Sequence, residues 1–131
     1  MEASGKLTYL KYSPDVKLSP FLICYYFFEG YFDVERLIQS PPTGYAAIIF
    51  NFIDAYEVCS GIDTGFTNSP RAVLVGQQTK NYRLKLKGHI QQIGMVFKPT
   101  AIATLYDYSL KEVVDKRVAL EMVIAGTASE L

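Results

Sequence analysis

The sequence is poor in the side chains that metal, thiol and cofactor chemistry require. It contains one histidine, whereas a bound divalent metal ion needs about three converging imidazole or carboxylate ligands. Its two cysteines, Cys24 and Cys59, form no CxxC pair, and neither lies beside the base or cation that a reactive thiolate needs. The GxSxG, P-loop and GxGxxG motifs are absent. We therefore predict no catalytic residues, no metal site and no cofactor, and we expect a protein that is not an enzyme.

Charge and hydropathy argue against two classes of partner. The 13 Lys and Arg residues balance the 13 Asp and Glu residues, whereas nucleic-acid-binding domains mostly carry a basic excess that neutralises phosphates. The longest apolar run, residues 21–28, is too short to cross a bilayer, and residues 1–6 lack the pattern of a signal peptide. We expect a soluble cytoplasmic domain that binds no membrane and does not, by itself, bind DNA.

What the chain does contain is apolar and aromatic material for one compact domain. Half of its 131 residues are hydrophobic and 14% are aromatic, and this composition favours β-structure. Short apolar or alternating runs, separated by Gly, Pro and Asn, predict the strands. We expect strands within residues 21–32, 45–53, 55–59 and 72–75, and a hairpin of residues 82–87 and 90–97 that turns at Gly88-His89.

In the last quarter of the chain, the apolar period changes from that of a strand to that of a helix. Ser109 with Glu112 forms a capping-box pattern, and Thr127 with Glu130 repeats it near the last residue. The residues after the second cap are too few to form a stable helix. We therefore expect helices within residues 99–131, and we expect the native protein to continue into a further domain.

The order and spacing of several short motifs indicate a family. The motifs are Tyr12-Ser13-Pro14, Leu18-Ser19-Pro20 ahead of Cys24-Tyr25-Tyr26-Phe27, Pro42-Thr43-Gly44 ahead of Ile48-Ile49-Phe50-Asn51-Phe52, Val75-Gly76, Ile93-Gly94-Met95-Val96-Phe97-Lys98-Pro99, and Val118-Ala119-Leu120 ahead of Gly126. In this order, the chain resembles the cupin-like N-terminal domain of bacterial AraC-type transcription regulators. The resemblance implies one α+β, mainly β domain over residues 1–131, with a jelly-roll type β-barrel over residues 1–98 and short helices over residues 99–131.

The resemblance also implies a function. In such regulators, the barrel senses a small-molecule effector or mediates dimerisation, and it signals to a C-terminal helix-turn-helix domain, which this chain lacks. The implied partners are an unknown small-molecule effector, DNA only through the missing domain, and a second copy in a homodimer. Two alternatives stay open. One is a stand-alone small-molecule-binding or protein-interaction module, and the other is a cupin-type metalloenzyme that would hold a bound metal ion.

We select Tyr26, Asn51, Gln77 and Phe97 as candidate ligand-binding residues. Asn51 interrupts an apolar strand, where a buried amide without a hydrogen bond costs about 1–3 kcal/mol. It is therefore either a structural anchor or a ligand anchor. The aromatic residues around Tyr26 either line a pocket or form ordinary core. Gln77 and Gln78, just after Gly76, are similar but weaker candidates than Asn51.

The predicted hairpin carries charged residues with two possible roles. Arg83, Lys85 and Lys87 form a basic stripe, which either faces solvent from an edge strand or binds an anionic ligand or partner. We expect His89 to be an exposed turn residue, because Gln91 stands where a His-x-His metal arm needs its second imidazole.

Overall fold

A computed structural model describes residues 7–41, 44–59, 65–98, 101 and 114–122 of the chain. Within these ranges, the backbone forms eight strands that belong to one antiparallel sheet, which confirms the predicted mainly β fold. The strands are β1 (Leu7–Tyr12), β2 (Leu22–Ser40), β3 (Ala47–Asn51), β4 (Glu57–Cys59), β5 (Thr67–Asn68), β6 (Ala72–Val75), β7 (Tyr82–Phe97) and β8 (Arg117–Ala119).

Strand β7 is continuous, so the predicted hairpin turn at Gly88-His89 is wrong. Its 16 residues pair with the 19 residues of β2 along nearly their whole length. Gly88 lies inside the strand with a φ of 86°, a conformation that side chains other than glycine adopt at a cost. A Cβ at this position would also overlap the Asp54 carboxylate, which accepts a hydrogen bond from the His89 N–H at 2.7 Å.

The long β2–β7 ribbon bends at the level of Gly88. The register steps from Phe32 opposite Gly88 to Arg36 opposite Leu86, so three residues of β2 stand against one of β7. Such a bulge bends a strand and increases its twist. A flat strand would place Tyr82 and Val96 about 46 Å apart, yet both line a single cavity of about 560 Å³. The bend therefore brings the two halves of the ribbon around one space.

The sheet is open at both ends of its strand order. Its order is β1-β2-β7-β3-β6-β8, with β4 joined to β7 and β5. Among the described residues, β1 and β8 each pair with one neighbour, so the sheet does not close into a barrel. The sequence pattern did not predict β1, and β8 lies within the range expected to be helical.

Two apolar clusters lie on opposite faces of the sheet. On one face, Leu22, Ile48, Leu74, Phe97 and Leu120 belong to a buried cluster against which Met95 and Val118 also pack. On the face that carries the cavity, the second cluster consists of Phe32, Tyr56, Leu86 and Ile90. Residues of β3 and β6 alternate between the cavity and the cluster on the other face, because successive strand residues point to opposite faces.

The C-terminal helices that the sequence predicts lie mostly outside the described residues. The capping pairs at residues 109–112 and 127–130 are among these positions. Residues 101 and 120–122 are helical. No helix in the described ranges has the length and hydropathy needed to cross a membrane.

The basic stripe lies on the central strand β7, so its predicted place on an edge strand is wrong. Phe66, just before β5, lies beside it. The Lys85 Nζ is 4.3 Å and the Arg83 Cζ is 5.3 Å from the centroid of the Phe66 ring. Arg83 also donates a hydrogen bond to the Cys59 sulfur at 3.4 Å. Part of the stripe is therefore covered by an aromatic ring through cation–π contacts.

His89 is half-buried, which corrects the prediction of an exposed turn residue. Its ring stacks on Tyr31 with a centroid distance of 4.0 Å. Its Nε2 lies 2.6 Å from a carboxylate oxygen of Glu29, and Gln91 donates to the same oxygen at 3.1 Å. These residues form a polar cluster on β2 and β7, on the face away from the cavity.

Candidate ligand-binding cavity

The bent ribbon, together with β1, β3, β6 and β8, lines an open cavity of about 560 Å³. This volume is in the range of sites that hold small organic molecules. Most of its walls are apolar or aromatic. The lining residues are Tyr9, Tyr26, Phe28, Ile38, Ser40, Tyr45, Ala47, Ile49, Val75, Gln78, Tyr82, Leu84, Leu86, Gln92, Val96 and Arg117.

The even-numbered residues of β2 and β7 form much of the wall, as the two-residue period of a strand requires. Tyr26 is placed there by its partner in the sheet. It pairs with Gly94 of β7, and a Cβ on Gly94 would overlap the outer half of the Tyr26 ring. The ring therefore occupies the space that a side chain at Gly94 would fill, so the absence of a side chain at this position permits this orientation of Tyr26.

Tyr26 supplies the cavity with a neutral phenol. Burial raises the pKa of the Tyr26 hydroxyl well above its ordinary value of 10, and the nearby Tyr56, Tyr82 and Tyr9 raise it further. The Arg117 cation acts in the opposite direction but does not offset these effects. The hydroxyl stays protonated across the physiological range, so it is available as a hydrogen-bond donor.

Arg117 is the one charged side chain among the described residues that line the cavity. It lies on β8, where Arg117 pairs with Val75. Its Nη2 donates a hydrogen bond to the Tyr56 hydroxyl and lies 3.4 Å from the Ser69 hydroxyl oxygen. The guanidinium carbon is 5.6 Å from the centroid of the Tyr56 ring. Tyr56 and Ser69, both buried, thus hold the guanidinium group in place.

Asp115, two residues before Arg117, joins the start of β8 to the chain that follows β6. Asp115 accepts hydrogen bonds from the N–H of Thr79, at 2.7 Å, and from its hydroxyl. The Asp115 N–H donates to the Gln77 carbonyl at 2.9 Å. These bonds lower the pKa of Asp115, the side-chain bond to Thr79 being the largest cause. Gln78, buried between these contacts, donates to the Gly76 carbonyl at 2.9 Å.

The family comparison agrees with the limits of the sheet. Residues 10–119 match the model of a domain of unknown function, DUF6597. The chain belongs to this family. The match begins inside β1 and ends at the last residue of β8, so the DUF6597 domain coincides with the sheet that builds the cavity. No curated protein matches the chain.

The four residues selected from sequence lie in different places in this DUF6597 domain. Tyr26 lines the cavity. Asn51 is buried outside the lining, and its amide donates to the Asp54 carbonyl at 2.7 Å, while its Oδ1 has no hydrogen-bond partner in the part of the chain that the structure describes. Gln77 is exposed next to the lining residue Gln78. Phe97 packs in the cluster on the opposite face. The structure therefore does not bring the four together around one site.

Arg117, Gln92 and Tyr82 line the cavity and were not selected from sequence. For the two β7 residues, a signal exists. Both have the same parity as Leu84 and Leu86, which places them on one face of the strand. For Arg117, the local sequence carries no such signal, because a three-residue strand shows almost no period.

The described residues contain no group of three or more His, Cys, Asp or Glu side chains that could hold a metal ion. The nearest approach to such a group is the pair formed by His89 and Glu29. It lies on the face away from the cavity. The arrangement of the cavity itself is suited to binding through apolar contact and a few polar anchors.

Proposed function

We propose that the domain is the sensor of a transcription regulator of the AraC type, and that it binds a small molecule in the cavity. The observation that carries this proposal is a 560 Å³ cavity walled by aromatic and aliphatic side chains from six strands, with a few polar anchors. A cavity of this kind is the usual form of a small-molecule site. The motif order described above supports the regulator part of the proposal.

The same proposal includes the finer features of the domain. The fold is a cupin-like sensor fold that is open along one side, and the protein is cytoplasmic and acts without catalysing a reaction. DNA contact is made by a helix-turn-helix domain that follows in the native protein, and two copies pair to read paired half-sites. Bound effector signals by favouring one of two arrangements of the sheet and the C-terminal residues.

The binding part is tested with the neutral dye 1-aminoanthracene, whose fluorescence rises in apolar surroundings. We expect saturable binding to the wild-type chain. Val96→Phe places a ring in the cavity, and we expect it to weaken the affinity for the dye by at least about tenfold. This change corresponds to a loss of about 1.4 kcal/mol of binding free energy. Ile93→Phe adds a similar ring to the same strand on the other face, and its affinity should match the wild type.

A second blocking variant, Ala47→Phe on β3, guards against local misfolding at Val96. Urea denaturation of each variant verifies that the chain remains folded. Equal dye affinity in the wild type and in both blocking variants would reject the cavity as the binding site.

The regulator part is tested by the native gene. A sequence downstream of Leu131 that encodes two helix-turn-helix units supports it. A stop codon there, or a downstream domain without them, would favour the stand-alone binding module instead. Sedimentation of the full protein tests the homodimer, and a monomer at micromolar concentration would reject it.

A further inference from the structure

The geometry of the cavity points to the chemical class of its ligand. We infer that the cavity takes an organic monocarboxylate with an apolar body, whose carboxylate contacts Arg117. The inference rests on the proposed binding function and goes beyond it, because it names the charge and the anchoring residue.

The charge of Arg117 is not balanced inside the cavity. Among the described residues, no carboxylate forms a salt bridge with Arg117. No Asp or Glu occurs among the described cavity-lining residues. A guanidinium group beside apolar walls is poorly hydrated, and an anion that enters the cavity recovers part of that loss. A cationic ligand would instead be repelled by the charge of Arg117.

The guanidinium group of Arg117 has donors that no described residue uses. Tyr56 and Ser69 both interact with Nη2, and they leave Nη1 without a hydrogen bond to any described residue. Nε is buried and also lacks a hydrogen-bond partner among the described residues. Nη1 can therefore donate a charge-assisted hydrogen bond to one oxygen of a bound carboxylate. The fixed orientation of the guanidinium group reduces the entropy lost when the ligand binds.

The rest of the cavity wall restricts the body of the ligand. Apolar side chains such as Ile49, Leu84 and Val96 line it. The neutral Tyr26 hydroxyl and the Gln92 amide also line the cavity, and either can serve as a second polar anchor for the ligand. Neither group hydrogen-bonds to a described residue. A polyol would leave most of its hydroxyls unpaired against these walls. An aromatic or aliphatic acid would not.

The test compares 2-naphthoate with its neutral isostere 2-naphthamide, each displacing 1-aminoanthracene from the wild-type chain at low salt. We expect the carboxylate to bind roughly 10- to 100-fold more tightly, which is the range of a charge-assisted hydrogen bond. In Arg117→Gln, the preference, measured as the ratio of the two affinities in the same variant, should fall to about onefold. Arg117→Lys should keep part of the preference.

Arg36→Gln is the matched control, because it removes the same charge from an exposed position of β2 outside the cavity. It should keep the full preference. A wild-type chain that binds the dye but shows no preference for 2-naphthoate overturns the inference and leaves the proposed function intact. The same holds if Arg117→Gln retains the preference. Absence of dye binding rejects both. The wild-type comparison needs no variant, so it decides the inference even where Arg117→Gln is unstable.

Discussion

The contact between Gly94 and Tyr26 permits a quantitative prediction. Gly94→Ala places a methyl group where the Tyr26 ring now lies. Two effects on the free energy of unfolding oppose each other. Replacing glycine reduces the freedom of the unfolded chain and stabilises by about 0.4–1 kcal/mol where the backbone permits it. Overpacking costs about 1–3 kcal/mol. The second effect is larger, so we expect Gly94→Ala to lower the free energy of unfolding.

The sign of the effect should reverse when the overlapping atoms are removed. A Cβ on Gly94 would meet the outer ring carbons and the hydroxyl of Tyr26, and leucine has none of these atoms. In a Tyr26→Leu background, Gly94→Ala should therefore be neutral or stabilising. The coupling between the two positions should reach about 1–3 kcal/mol, the range found for residues in direct contact.

Urea denaturation of the wild type, both single variants and the double variant measures this coupling from the midpoints, provided that the slopes agree. Gly44→Ala is a control for glycine replacement without overlap, because a Cβ there meets nothing within 4 Å. Gly94→Ala should also weaken 1-aminoanthracene binding, since the displaced ring occupies part of the cavity. Equal effects of Gly94→Ala in both backgrounds would refute this account of how Tyr26 is positioned.

Two other predictions concern backbone conformation and pH. Gly88→Ala should lower the free energy of unfolding by about 1–3 kcal/mol, because the φ of 86° is strained for alanine and its Cβ overlaps Asp54; an unchanged urea midpoint would contradict this. Asp115 has a folded pKa below its ordinary value of 3.8, so its bonds to Thr79 stabilise the fold above about pH 4 and are lost as pH falls through the folded pKa. The difference in urea midpoint between wild type and Asp115→Asn should therefore shrink from pH 6 to pH 2, and a constant difference would contradict the assignment.

The strands with buried residues on both faces could be predicted from sequence. Ala72–Val75 was predicted with the bounds that the structure gives, and β3 lies within the predicted range. The failure at Gly88 has a physical cause. A glycine with positive φ is compatible both with a hairpin turn and with a continuous strand that bends beside a bulge. Pairing with β2, which is distant in sequence, decides between the two. No local pattern in residues 82–97 contains that information.

The candidate site was harder to predict than the fold. The segment around Arg117 is rich in helix-forming residues such as Ala119, Leu120 and Glu121, so its local preference is helical. Pairing with β6 overrides that preference over three residues. Asn51 shows the reverse case. Its burial was predictable from its apolar neighbours, but its bond to the Asp54 carbonyl depends on the course of the chain after β3.

Strand β8 connects the cavity with the opposite face of the sheet. Arg117 lines the cavity, whereas Val118 and Leu120 pack in the cluster on the other side. Because β8 is short and pairs only with β6 among the described residues, few backbone hydrogen bonds hold it. In the proposed sensor, a carboxylate contact at Arg117 that forms in only one arrangement of β8 contributes about 1.5–3 kcal/mol. It would shift the equilibrium between two arrangements roughly 10- to 100-fold. We therefore expect ligand binding in the cavity to affect the packing of Leu120, and this coupling would give the proposed sensor a physical route from its ligand to the C-terminal part of the chain.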